Sequence, residues 1–158
     1  MELVWHYSTW AYLPEMVKWG QVFAGNAGAE NEMPMLWFSS NQKWEPTATK
    51  IRISPSGVNV QMTFAEQAKL FGCIRLGLDA RDPRLLDWKK ACSFAKTPKK
   101  KRESLEQVGR MQGANPMHWH AISESVPLTE LKLQVWRDQW NDESDAPKAA
   151  REWEGRNV

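Results

Sequence analysis

Leu3-Val4-Trp5-His6-Tyr7-Ser8-Thr9, followed by Ala11-Tyr12-Leu13-Pro14-Glu15-Met16-Val17-Lys18-Trp19-Gly20, is the stretch on which the reading of this chain turns. Its first half is an apolar run of strand type that carries one histidine. Side chains alternate across a strand, so His6 and Ser8 share one face while Trp5, Tyr7 and Thr9 share the other. In the second half Leu13, Met16, Val17 and Gly20 recur at i, i+3, i+4 and i+7, the stripe of a short amphipathic helix. Pro14 suits its first turn and Gly20 its end. The stretch therefore predicts a buried strand, a tight exit and a short helix. His6 is either a working residue or a core histidine bonded to backbone.

The surrounding composition is that of an ordinary folded domain. At 158 residues the chain is long enough for one domain with a real core. Hydrophobic and charged fractions of 42% and 25% are those of a globular protein. A net charge of +2 is too small to argue for nucleic acid by itself. Ten tryptophans stand out. Each brings a large apolar area and an N–H that needs a partner, which suits an aromatic core or a groove that stacks flat ligands. Cys73 and Cys92 lie far apart without metal-like spacing, and read as free buried thiols that are not nucleophiles. With no signal peptide and no apolar run long enough for a bilayer, a cytoplasmic protein without membrane association is expected.

Outward from the opening stretch, residues 24–32 are small and polar, a loop. Gly25 and Gly28 lack the strand-then-helix context of a dinucleotide fingerprint. Residues 34–40, with Leu36-Trp37-Phe38 apolar on both faces, predict a second strand, and residues 44–48 a turn. The segments 50–54 and 58–62 alternate with period two around Pro55-Ser56-Gly57, a hairpin signature. Thr63 or a neighbour caps a short helix over 64–70, and 71–78 is a strand whose two glycines point to a bulge or close packing. Asp82-Pro83 opens a helix by cap and proline logic, with Leu85, Trp88, Cys92 and Ala95 on one face. A break over 97–102 precedes a second helix over about 103–112. Further strands are expected over 118–124 and 131–136.

Beyond Asn141 apolar residues thin out, so residues 141–158 read as a polar, flexible tail behind a single domain over 1–140. Strands with hairpin-like adjacency and a few helices give an α+β fold. Its sheet should be split and mixed but largely antiparallel, with two to four peripheral helices.

Three polar spots interrupt apolar strands: His6 with Ser8, Ser39 with Ser40, and Ser123 with Glu124. A polar side chain in a strand buried on both faces must be hydrogen-bonded or lie at a cleft. If the three strands are neighbours, these groups gather in one cleft walled by Tyr7, Trp37 and Phe38.

Trp5-His6-Tyr7-Ser8, then Leu13-Pro14 through Met16-Val17 to Gly20, then Leu36-Trp37-Phe38-Ser39-Ser40, resembles the opening of ADP-ribosyltransferase-like proteins, in particular small bacterial, phage and mobile-element members. The resemblance covers about the first fifty residues and implies NAD as the bound substrate. It gives His6 the task of holding a ribose hydroxyl and Ser8 or Thr9 that of helping to frame the nicotinamide, with Tyr7 also among the cofactor-binding residues. Trp37 or Phe38 would stack on the nicotinamide ring, Ser39 and Ser40 would line the pocket, and Glu124 would match a late glutamate. Breaking the nicotinamide–ribose bond develops oxocarbenium charge, which a preorganised carboxylate stabilises. On this reading His6 and Glu124 are the catalytic pair, and the acceptor is a macromolecule or water. The alternative is a non-catalytic binding protein on the same scaffold. It is motivated by the tryptophan excess and by the absence of any tyrosine besides Tyr7 and Tyr12.

Two further features carry chemistry of their own. His118 and His120 are two apart, hence on one face of a strand, but no third ligand stands at a helpful spacing, and no metal is expected. Lys96 to Arg102 places five cations within seven residues. Lys99, Lys100, Lys101 and Arg102 read either as a phosphate or nucleic-acid contact or as a solvated loop between two helices.

Overall fold

The structure, a computed structural model, describes residues 1–156. In chain order its strands are β1 (Leu3–Ser8), β2 (Gln21–Val22), β3 (Leu36–Ser39), β4 (Ile51–Ile53), β5 (Asn59–Gln61) and β6 (Ile74–Asp79). They continue with β7 (Leu86–Asp87), β8 (Trp119–Ile122), β9 (Val126–Pro127), β10 (Lys132–Trp136) and β11 (Trp140–Asp142). The helices are α1 (Leu13–Trp19), α2 (Phe64–Leu70), α3 (Trp88–Ala95), α4 (Lys99–Met111) and α5 (Ala146–Arg156). Seven strands form one sheet in the order β11-β10-β6-β1-β3-β8-β7, while β2 with β9 and β4 with β5 make two small ribbons. The fold is α+β. Every strand pair among the described residues is antiparallel, so the expectation of a mixed sheet gives way to a purely antiparallel one.

The opening stretch lies at the centre of this sheet as its pattern required. β1 pairs along its whole length with β6, Leu3 opposite Asp79 and Ser8 opposite Ile74. Its Val4 faces the larger core, where Leu36, Phe38, Leu76, Ile122 and Val135 meet α1 and α5. Trp5 and Tyr7 face the opposite side, toward Ser39 and Arg75. Thr9 leads into a 3₁₀ turn at Trp10–Tyr12, and α1 ends on Gly20 in the left-handed conformation, φ 70°.

Close packing, one of the two readings of the glycines near β6, accounts for Gly77. A Cβ there would lie 2.7 Å from the Trp5 ring and 2.9 Å from Leu3. The indole has no room to retreat. Its Nε1–H donates to Gln42 at 2.9 Å, and the Arg75 guanidinium stacks 4.0 Å from its ring. Gly77→Ala is therefore expected to destabilise the protein by about 1–3 kcal/mol, read as a lower urea midpoint at unchanged slope.

Elsewhere the structure departs from the expected elements in four places. Asp82-Pro83 does not open a helix: Asp82 binds the Arg84 backbone N–H at 2.9 Å and its guanidinium, and the chain first adds β7 to the sheet edge. α3 begins at Trp88 instead, capped by Asp87, whose carboxylate accepts from the Lys90 N–H at 2.9 Å. The cationic run is no loop, because Lys99 to Arg102 are the first turn of α4. Nor is the stretch from Asn141 a flexible tail. It completes β11 and forms α5, whose Ala149, Ala150 and Trp153 are buried against α1 and the first 3₁₀ turn, giving a fifth helix where two to four were expected. Residues 157 and 158 lie outside the described residues. Among the described residues no helix is long and apolar enough to cross a membrane.

Candidate functional site

β1 and β3 touch through one register pair, Trp5 opposite Ser39, and then part. His6 bridges the opening: its Nδ1 lies 2.8 Å from the Trp37 carbonyl oxygen. A carbonyl only accepts, so Nδ1 carries the proton. Burial pushes the imidazole below its ordinary pKa, the Trp37 carbonyl opposes that, and the nearby Lys50 charge adds to it. The ring is accordingly neutral, and Nε2 presents a bare lone pair. Phe38 packs edge-on at 6.1 Å. His6 is thus bonded to backbone like a core histidine and yet borders two cavities, one on either side of the sheet.

That lowered pKa makes a stability prediction. An unfolded imidazole titrates near about 6.5, so on acidification the unfolded chain takes up its proton before the native one does. The stabilisation is complete above about pH 6.5 and is lost as the pH falls from there through the native value, at up to about 1.4 kcal/mol per pH unit. Urea midpoints measured across this window should fall more steeply for the wild type than for His6→Gln.

The larger cavity, about 550 Å³, lies between the sheet and α4. Trp5, Trp37, Trp88 and Trp119 supply much of its wall. Trp37 and Trp88 meet at 5.4 Å and Trp88 and Trp119 at 4.9 Å, tilted and edge-to-face. α4 lies directly on this aromatic wall, since a Cβ on Gly109 would sit 2.6 Å from the Trp119 ring. At the rim Lys101 forms an ion pair with Glu32 from the 24–32 loop.

A carboxylate from the 44–48 turn also faces this cavity. Glu45 is only 6% exposed. Its Oε1 accepts from the Ser39 hydroxyl at 2.9 Å, and its Oε2 from the Thr47 N–H at 3.1 Å and the Thr47 hydroxyl at 2.7 Å. The residue caps a 3₁₀ turn at Pro46–Ala48. An acidic residue directly before proline, with threonine two positions on, is the sequence signal for such a cap.

Of the residues named from sequence, His6, Tyr7, Trp37, Phe38 and Ser39 line this cavity together. The Tyr7 hydroxyl is held away from it, donating to the Asn41 carbonyl at 2.5 Å and accepting from Arg75 at 3.3 Å. Ser8 lines the second cavity rather than the first. Thr9 is buried at the strand exit and borders neither, and Ser40 gives its backbone N–H to His118 instead. Glu124 is not part of the site. Its side chain is 55% exposed and pairs with Arg84 at 3.2 Å, in a surface cluster with Asp82 and Glu130. The strands β1, β3 and β8 are indeed neighbours, but Glu124 lies beyond the end of β8.

Lys101 borders the larger cavity, whereas Lys99, Lys100 and Arg102 do not, and Lys99 is within 3.9 Å of Glu103. His118 ends a 3₁₀ turn, so it does not share a strand face with His120, whose Nδ1 meets the His118 carbonyl at 2.9 Å. Among the described residues no three histidine, cysteine or acidic side chains gather as a metal site. Burial pushes the Cys73 thiol up to about 12 and the Cys92 thiol up to about 11, so both stay protonated and unreactive. Comparison of the chain with models of known families, with curated proteins and with solved structures returns no match.

Proposed function

We propose that the larger cavity binds NAD through its nicotinamide ring, and that the chain is an ADP-ribosyltransferase-like protein whose cleft carboxylate is Glu45. The observation that carries this reading is a buried carboxylate sharing one indole-walled cavity with His6 and Ser39. Oxidised nicotinamide is a flat cation. Aromatic faces attract such a ring by cation–π forces, and an anion at the same site adds to the attraction. A neutral His6 with a free Nε2 suits a ribose hydroxyl, which donates to it.

The reaction follows from that placement. The bond between nicotinamide nitrogen and ribose C1′ breaks, its electron pair neutralises the departing ring, and positive charge develops on the ribose. Glu45, fixed by three donors and shielded from water, stabilises that charge without having to reorganise. Oxygen of water or of a macromolecular acceptor then adds to C1′ and releases its proton. Thermal melting with and without NAD, joined to an assay for released nicotinamide, tests the proposal. Stabilisation with release supports it, and a folded protein that shows neither overturns it.

A second reading has an observation in its favour. The same three hydrogen bonds make Glu45 a cap for its own turn, a role that needs no catalysis. A non-catalytic NAD-binding protein would be stabilised by the nucleotide and release no nicotinamide.

A further inference from the structure

The second cavity, about 350 Å³, lies on the α1 side of the sheet and, apart from His6 and Tyr7, which border both, is lined by groups that the larger one does not contain. Tyr12, Trp19 and Phe23 border it and remain 53%, 57% and 55% exposed. Three large rings left in water around one depression are a costly surface unless something covers them. They are also held in position. The Trp19 Nε1–H donates to Glu15 at 3.0 Å, and Phe23 packs edge-on to the indole at 6.2 Å.

Three of this cavity's polar groups, the Ser8 hydroxyl, His6 Nε2 and the Lys50 ammonium, have no hydrogen-bond or ion-pair partner among the described residues. Ser8 is 5% exposed, lines the cavity, and has no hydrogen bond to its hydroxyl among the described residues. His6 borders the cavity and has no partner at Nε2 among the described residues. The Lys50 ammonium lies 5.4 Å from the Tyr12 ring and has no carboxylate partner among the described residues. The residue is exposed as a whole, and partial desolvation of its ammonium beside the ring lowers its pKa from the ordinary lysine value. Lys18, 5.3 Å from the Trp19 ring, brings a second ammonium to the rim, against the single carboxylate of Glu15.

We propose that this cavity is a stacking site for one nucleotide of a single-stranded nucleic acid, with its base against Trp19, Phe23 and Tyr12 and its phosphodiester at Lys50. Flat aromatic side chains take any base on its face, and one nearby cation tracks the backbone. Two ammoniums and one carboxylate leave a single positive charge, which matches a phosphodiester monoanion better than the dianion of a free mononucleotide. Ser8 and His6 Nε2 offer a donor and an acceptor to the sugar or the base edge. A duplex does not fit the site, because its bases are already stacked. The binding rests on the exposed rings and Lys50, not on the cations at the start of α4.

The test is fluorescence anisotropy of a labelled single-stranded oligonucleotide with the full chain, without NAD, at about 50 mM salt. Melting curves verify that each variant is folded. Trp19→Ala should weaken binding by about five- to 150-fold, the range measured for loss of one stacked base. Lys50→Gln should weaken it and lower the slope of log affinity against log salt by about 0.7. Duplex of the same sequence and free mononucleotide should both compete poorly. No binding by folded wild type overturns the proposal, as does affinity that survives Trp19→Ala and Lys50→Gln but falls with Lys99→Gln and Lys100→Gln. A mononucleotide that competes as well as the oligonucleotide overturns the assignment to a polymer. Glu45→Gln should leave this binding unchanged, so failure of the NAD reading and failure of this one are separate results.

Discussion

Trp10→Ala is expected to lower stability by about 3–5 kcal/mol, a large part of the roughly 5–15 kcal/mol that a domain of this kind possesses. Trp10 is fully buried at the junction of β1, α1 and α5. Its indole Nε1–H donates to the Ala149 carbonyl at 2.9 Å, tying the beginning of the chain to α5. The ring packs 6.0 Å from Trp153, and the guanidinium groups of Arg156 and Arg137 lie over it at 4.4 Å and 5.1 Å. Truncation opens a cavity, removes the second donor to the Ala149 carbonyl and removes the surface on which α5 rests. Urea denaturation followed by far-ultraviolet circular dichroism should show a much lower midpoint. Trp10→Phe keeps most of the ring volume and loses chiefly the hydrogen bond, so it should cost distinctly less. Equal losses for the two variants would mean that packing contributes little at this junction.

On the proposed NAD reading, Glu45→Gln is the change with the largest expected effect on chemistry. Removing one preorganised group from a site of charge development typically costs about 10²–10³-fold in turnover, and nicotinamide release should fall by that order. The amide keeps the shape and still accepts through one oxygen, so NAD should continue to raise the melting temperature. The turn loses charge-assisted bonds from Ser39 and Thr47, and the apoprotein should lose about 1–2 kcal/mol. Glu124→Gln is the paired control. An exposed ion pair such as Glu124 with Arg84 is worth about 0–1 kcal/mol, and neither turnover nor NAD binding should change. Turnover lost with Glu124→Gln and kept with Glu45→Gln would restore the carboxylate suggested by the resemblance.

The elements with strong local signals were legible in the sequence. β1 and α1 follow from alternation, the Leu13–Met16–Val17 spacing and Gly20, and Thr63 caps α2 by accepting from the Glu66 N–H at 3.1 Å. The ribbon of β4 and β5 forms around the turn that ends at Gly57, φ 82°. α5 was hidden because its buried stripe is built from Ala149, Ala150 and Trp153. Alanine adds little to hydropathy, yet it is the best helix former and permits close helix contact. The start of α4 was hidden by three lysines read as solvated coil, although lysine propagates helices well.

In the site, the strand residues His6, Tyr7, Trp37, Phe38 and Ser39 were found because alternation and buried polarity mark them. Glu45 was missed for the opposite reason. It sits outside the regular elements, and only the return of its turn beneath the sheet brings it near Ser39. Glu124 was chosen by its place in a family pattern, and chain position alone does not say on which side of a sheet edge a carboxylate emerges.

The late docking of α5 also bears on how the protein is made. β1 and α1 leave the ribosome well before α5, but their apolar face is covered by residues 146–156, and β10 and β11, which extend the sheet beyond β6, come from positions 132–142. Until residue 146 and those after it are made, Trp10 and Leu13 therefore lack their final partners. Contacts so distant in sequence form slowly, and an uncovered apolar strand invites association in the meantime. A chain stalled before residue 146 should accumulate as an aggregation-prone intermediate that depends on chaperones, whereas one lengthened past residue 156 can close its core.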